Sequence, residues 1–328
     1  MRLRVDRCEF GPSESLHSAW QSVLKAKSCY SYFQTPHWSK ILSASLPEST
    51  MQPAWFTFSD GVEAVLPLFS SRKRFGFHKL ESLPWGVYGD LLSASPITHD
   101  HREAAAKKLL SFRAPIFECR FNPLDVGVSG ALRTHPTDND ATFDVTKYTK
   151  QTTHILAVPD NVDALWSKFQ SRNRSTIRRA REEGVTVRAG SDESAVRALQ
   201  RLYQVAQNEY WSGVETVPTQ FFDALVHHPD ERVQVWLAEY NGEVIAADLV
   251  LYGKQEAQYF VGASNREHSK LNAPRALMAS ILEDACERKI SHFNFGGSAG
   301  QSGVGQFKGL FGAEEKDYFC YHRKWLLG

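Results

Sequence analysis

The chain has 328 residues, 42% hydrophobic and 23% charged, with a net charge of +1. That balance fits a globular protein long enough for two ordinary domains and excludes a bulk nucleic-acid or membrane-surface signature. Five scattered cysteines without a C-x-x-C pair argue against a disulfide framework or zinc site. They favour a reducing compartment.

The N-terminus, MRLRVDRCEF, lacks the apolar core of a secretory signal, so a cytoplasmic location is expected. No apolar run is long enough to predict a membrane span. A helix is predicted over 13–27, followed by the helix start PHWSKIL. AWFTFSDGVEAVLPLF (54–69) then reads as strand, Asp-Gly turn, strand. The same pattern returns in VWLAEYNGEVIAADLV (235–250), with Asn-Gly at the turn. Both dipeptides favour the positive φ of a two-residue hairpin turn. In each copy a tryptophan, Trp55 or Trp236, precedes the turn glycine by the same spacing, which points to a duplicated unit. The polar stretch TKYTKQTTH places a boundary near residue 150, giving domains 1–150 and 151–328.

In the second half, DESAVRALQRLYQVAQ puts Val196, Leu199, Leu202, Tyr203 and Ala206 on one helix face, with Ser191 or Asp192 as its cap. QEAQYFVGA (255–263) reads as a strand. The helix predicted over 274–289 has Pro274 in its first turn and Leu277, Ile281, Leu282 and Ala285 inward. ISHFNFGG reads as a buried strand and KDYFCYHRKW as the closing one. The predicted class is α+β: two tandem domains, each a mixed, mainly antiparallel sheet flanked by helices.

The stretch 294–312, NFGGSAGQSGVGQFKGLFG, holds seven glycines and one charge, Lys308. So bare a backbone beside a fixed cation suits close approach of an anionic or carbonyl-bearing group. Lys308 is the candidate to stabilise an oxyanion; the alternative is a surface lysine after a glycine loop. The N–H groups of Gly296, Gly297 and Ser298 are candidates for holding a phosphate or carboxylate. Arg174, Arg178 and Arg181 share a helix face that suits phosphates, or else is a solvated face. Tyr210 and Trp211 form either an acceptor-pocket wall or a core plug. His99, His101, His227 and His228 read as loop histidines, and no metal is expected. Asp248 lies on a central strand with its direction open.

HFNFGGSAGQSGVGQFKGLFGAE resembles the C-terminal signature of the FemABX peptidyltransferases and the related BioF2-like acyltransferases of the GNAT superfamily. YFQTPHWSKIL, SRNRSTIRRAREEGVTVRAG and YFVGASNREHSKLNAPRALMASILEDA resemble further family stretches in the same order. The resemblance implies two tandem GNAT-like domains without the long helical insertion some members carry. It implies an aminoacyl- or acyltransferase forming an amide on an amino group of a peptidoglycan- or polysaccharide-linked precursor. The roles of Phe307 with Lys308, of Tyr259 in YFVGAS, and of Trp38 and Lys40 toward acceptor phosphate are likewise implied by it.

The expected donor is aminoacyl-tRNA or acyl-CoA, with no tightly bound cofactor. The expected acceptor is a small or nucleotide-linked molecule, tRNA is a candidate partner, and a monomer is expected. KLNAPRAL (270–277) lacks the glycines of the usual CoA pyrophosphate cradle. The helix start at Asn272 to Arg275 is the substitute donor site. Two alternatives remain: an acyl-CoA-dependent N-acyltransferase of small amines, and a non-catalytic nucleotide- or glycan-binding module.

Overall fold

The computed structural model describes residues 3–72, 78–110, 116–124, 144–211, 216–298 and 302–325. In chain order its first elements are β1 (Val5–Phe10), α1 (Glu14–Ala26), α2 (Pro36–Ser45), β2 (Ser49–Met51), β3 (Ala54–Phe58) and β4 (Glu63–Leu66). Then come β5 (Phe69–Arg72), β6 (His78–Glu81), α3 (His99–Leu110), β7 (Ile116–Arg120) and β8 (Asp144–Ala157). They are followed by α4 (Val162–Lys168), α5 (Ser171–Glu182), β9 (Thr186–Gly190), α6 (Glu193–Glu209), α7 (Thr219–His227) and β10 (Val233–Tyr240). The chain continues through β11 (Glu243–Tyr252), β12 (Glu256–Ser264), α8 (Ala273–Glu287), β13 (His292–Asn294), α9 (Ser302–Gly309) and β14 (Glu314–Trp325). The chain divides into two compact units: 1–28 with 33–152 and 317–328, and 29–32 with 153–316.

In the first unit β1, β3 and β4 form a small antiparallel sheet. A second set of strands runs β2-β5-β6-β7-β14, with β6 and β7 parallel. Phe56, Phe58, Leu66, Leu109, Phe117 and Phe121 bury between these strands and α3. The Asp-Gly hairpin differs from its expected form. Only Gly61 takes positive φ (83°), at the end of a longer loop. Asp60 stays right-handed because its carboxylate accepts the Val62 N–H at 3.1 Å, which removes the need for a left-handed aspartate. Its other oxygen meets Nε2 of His101 at 3.0 Å. His99 and His101 therefore lie in the first turn of α3 rather than a loop, and His101 is buried.

The second unit orders its strands β8-β13-β12-β11-β10-β9. The meander β10-β11-β12 is antiparallel, and its Asn241-Gly242 turn has both residues left-handed, at 51° and 81°. The β12–β13 pair is parallel, because α8 carries the chain back across the sheet. Leu277, Ile281, Leu282 and Ala285 of α8 are all buried, as their spacing predicts. On α6, Val196, Leu199, Tyr203 and Ala206 are buried and Leu202 is half-buried.

Asp192 caps α6 by accepting the Ala195 N–H at 2.9 Å. Asp192→Ala should lower stability by about 1 kcal/mol in urea unfolding, with an unchanged denaturant slope.

Candidate active site

The site of the second unit begins where β13 ends. The buried Asn294 Oδ1 accepts Thr153 Oγ1–H at 2.6 Å and the Gly296 N–H at 2.9 Å. Gly296 takes φ of 74°, which turns its carbonyl back into the protein. The Gly296 N–H is therefore occupied, contrary to its expected service to a phosphate. What this turn presents is two carbonyl oxygens, and both accept from Lys308 Nζ, at 2.7 Å each.

Lys308 is not on a loop. It lies on α9, which the sequence conceals because Gly303 and Gly305 each weaken a helix by about 1 kcal/mol. Gly305 lies where an added Cβ would stand 3.5 Å from both His154 Nε2 and Ser298 Oγ. Lys308 is only 4% exposed, and burial pulls its ammonium down to about 8. An ammonium has three donors. Two go to the glycine carbonyls, and the third has no partner among the described residues.

Lys308 and Phe307 line a cavity of about 240 Å³. Asp248, Tyr259 and Gly262 reach it from β11 and β12, and Pro274 from the start of α8. Tyr210 and Trp211, at the end of α6, also line it. Trp211 packs edge-on to Tyr203 at 4.9 Å, while Tyr210 lies at the rim under the Arg266 guanidinium, 3.7 Å from its ring centre. The residues 212–215 that follow them lie outside the described residues, as do 299–301 of the glycine-rich loop.

Asp248 is 8% exposed, and burial pushes its carboxyl up to about 8. In the register Asp248 stands opposite Gly262. A Cβ on Gly262 would collide with Asp248 Oδ1 and come within 2.8 Å of the Tyr259 hydroxyl. The missing side chain is thus the space that the carboxylate occupies. Burial, then the Asp248 charge, hold the Tyr259 phenol well above its ordinary value, so it remains a donor. Strand alternation could not reveal Asp248's direction, because β11 is buried without interruption from Ile245 to Tyr252.

The remaining expected residues lie apart from this cavity's lining. Arg174 donates to the Phe169 carbonyl at 2.6 Å. Arg178 stacks over Trp166, and Arg181 pairs with Glu283 at 2.8 Å. The arginine face is thus matched by groups of its own unit, which answers the repulsion that suggested a phosphate. Ser298 Oγ approaches His154 Nδ1 at 3.4 Å. In the first unit Trp38 is fully buried, its ring tilted against Phe33 at 5.2 Å, and Lys40 is exposed.

At the start of α8, Asn272 is left-handed with φ of 53°, Pro274 has no N–H, and the Arg275 N–H bonds the Asn272 carbonyl at 2.9 Å. Few backbone donors remain there for a pyrophosphate. In the first unit Glu118, Cys320 and His322 cluster as metal ligands would. The Glu118 carboxylate is already engaged by Lys79 and Arg120, which supply the positive charge.

Residues 167–309 match the family model of the acetyltransferase (GNAT) domain. This segment resembles a GNAT acetyltransferase domain. The GNAT match spans both Lys308 and Asp248. Across almost the whole chain the fold is that of FemX, with a TM-score of 0.68 at 14% identity, over 95% of this chain and 96% of FemX. The C-terminal domain of a putative lysylphosphatidylglycerol synthetase from Agrobacterium fabrum is also similar: TM-score 0.55, 11% identity, 94% of this chain and 92% of that one. So is L-PGS from Bacillus licheniformis: TM-score 0.55, 14% identity, covering 94% and 91%. No curated protein matches the sequence. The α+β class, with a GNAT-like domain in the second half, is as the sequence predicts. No helix among the described residues is long and apolar enough to cross a membrane.

Proposed function

We propose that the protein transfers an aminoacyl or acyl group to an amine, with the 151–328 domain carrying the chemistry. The observation that carries this is the setting of Lys308. Two carbonyls fix the ammonium, and its third N–H is left for the oxygen on which negative charge develops. Attack of the amine on the acyl carbon converts C=O to C–O⁻, and a donor already held in place stabilises that charge without reorganisation. The cavity walls supply positioning of amine and carbonyl. Phe307 anchors α9 by packing against the hydrophobic core of its unit.

The acceptor we favour is an amino group of a peptidoglycan- or polysaccharide-linked precursor, in keeping with the FemX-like fold. We assign Tyr210, Trp211 and Tyr259 to its binding. For the donor, Arg275 has a lowered pKa from burial and then from the charge of Arg172. Two guanidiniums close enough to repel, with no carboxylate partner among the described residues, suit a donor phosphate. The scarcity of free N–H groups at the start of α8 favours aminoacyl-tRNA over the tight cradle of acyl-CoA. We take the protein to act as a cytoplasmic monomer.

Donor binding tests this. The protein is titrated with acetyl-CoA, a long-chain acyl-CoA and charged tRNA, each at two salt concentrations. Steeply salt-dependent tRNA binding without CoA binding is expected. Saturable CoA binding moves the reading to acyl-CoA. Binding of none overturns both.

A pH dependence follows from Lys308. The protonated form is the working form and is lost as pH rises through about 8. The transfer rate should fall above that pH by up to about tenfold per unit in a pH–rate profile.

A further inference from the structure

Asp248 is more than nine-tenths buried, faces the cavity, and has no hydrogen bond or ion pair among the described residues. A buried carboxylate without a partner carries its full desolvation cost. Lys308 lines the same cavity, yet its ammonium is committed to Gly296 and Gly297 and makes no ion pair with Asp248. The backbone is arranged to keep this carboxylate where it is, since Gly262 opposite leaves the slot open. Five aromatic residues, Tyr210, Trp211, Tyr259, Phe295 and Phe307, share the lining with small and aliphatic side chains, and Arg266 reaches it with its guanidinium over the Tyr210 ring. An unpaired acid among aromatic rings suits a cation, which gains from both the carboxylate and the ring faces. The volume, about 240 Å³, admits a group of several heavy atoms but not a nucleotide.

We infer that Asp248 is an ammonium-binding site, at which a substrate of this protein seats a primary ammonium group between the Tyr259 hydroxyl and the aromatic walls. Two substrates offer that chemistry: the acceptor amine before it loses its proton, and the α-ammonium of an aminoacyl donor. The role of the bound cation rests on the acyl-transfer reading; its binding does not.

The test is calorimetric titration of the intact chain at pH 7.5 with ethylammonium and with alaninamide, against their neutral counterparts ethanol and lactamide. Both cations should bind, and each neutral counterpart should bind at least tenfold more weakly. A preference for alaninamide assigns the site to an aminoacyl α-ammonium, and a preference for ethylammonium assigns it to the acceptor. Asp248→Asn, which keeps the shape, should weaken cation binding at least tenfold. Asp248→Ser, which opens the slot, should do the same, and thermal unfolding of both variants controls for folding.

Ethylammonium affinity should rise with pH toward and through about 8, as the carboxyl loses its proton. The titratable and charged groups that share the cavity with it are Tyr259 on β12, Tyr210 just after α6, Arg266, and Lys308 on α9, and Tyr203 of α6 stands near Tyr259. Of these, Lys308 also changes charge near that pH, so the profile is repeated in Lys308→Ala. That variant should keep its ammonium binding even where transfer is lost.

Equal binding of the neutral compounds, undiminished binding by both Asp248 variants, or no millimolar binding of either cation overturns the site. Ammonium binding that depends on Asp248, in a protein that transfers nothing, leaves the site standing and removes the acyl-transfer reading. Transfer by Asp248→Asn with an unchanged KM does the reverse.

Discussion

Lys308→Ala should lower kcat/KM by two to three orders of magnitude, with most of the loss in kcat. The ammonium is aimed at a charge that exists only after the amine has attacked, so substrate binding gains little from it. Removal of one such preorganised donor is worth about 3 kcal/mol in the transition state. The variant also strips both glycine carbonyls, Gly296 and Gly297, of their donor, so the turn that follows β13 should loosen.

The linkage of Lys308 to stability separates the two effects. Its folded pKa, about 8, lies below that of the unfolded chain. Between about 8 and the ordinary lysine value near 10.4 the unfolded chain binds the extra proton, so wild-type stability gains with rising pH from this group. The alanine variant lacks that contribution. Steady-state kinetics beside unfolding curves across this window therefore distinguish lost catalysis from lost structure. An unchanged kcat with a raised KM would show that Lys308 only binds.

Gly262→Ala should destabilise the second unit by about 1–3 kcal/mol and close the cavity to ligands. The new methyl would overlap Asp248 Oδ1, crowd the Tyr259 hydroxyl and approach the Ala247 carbonyl at 3.0 Å. The carboxylate lines the cavity, and the carbonyl belongs to the central strand of the meander. Moving either damages the site or the sheet. The midpoint of urea unfolding should fall with an unchanged slope, and ethylammonium binding should be lost. Wild-type midpoint and wild-type binding together would show that β12 shifts freely and that the slot has no function.

The sequence alone carried much of the second unit. Asn241-Gly242 announced the β10–β11 hairpin, because few other pairs accept two left-handed residues in succession. The apolar faces of α6 and α8 were legible because a half-buried helix must repeat its apolar residues every three or four positions. Local chemistry also made Lys308 conspicuous as a lone charge among glycines.

The tertiary structure decided the rest. Gly303 and Gly305 oppose a helix locally, and α9 forms despite them, beside His154 and Ser298. Arg174, Arg178 and Arg181 read as a phosphate face because Trp166 and Glu283, which answer two of them, lie elsewhere in the chain. Asp248 carried no local signal, since a strand buried on both faces has no alternation to reveal where one side chain points. Its exposure to a cavity depends on the absence of a side chain at Gly262, on the neighbouring strand. Periodicity and turn chemistry are properties of consecutive residues and can be read from them. Which charge is paired, and which is left facing a cavity, depends on residues that only folding brings together.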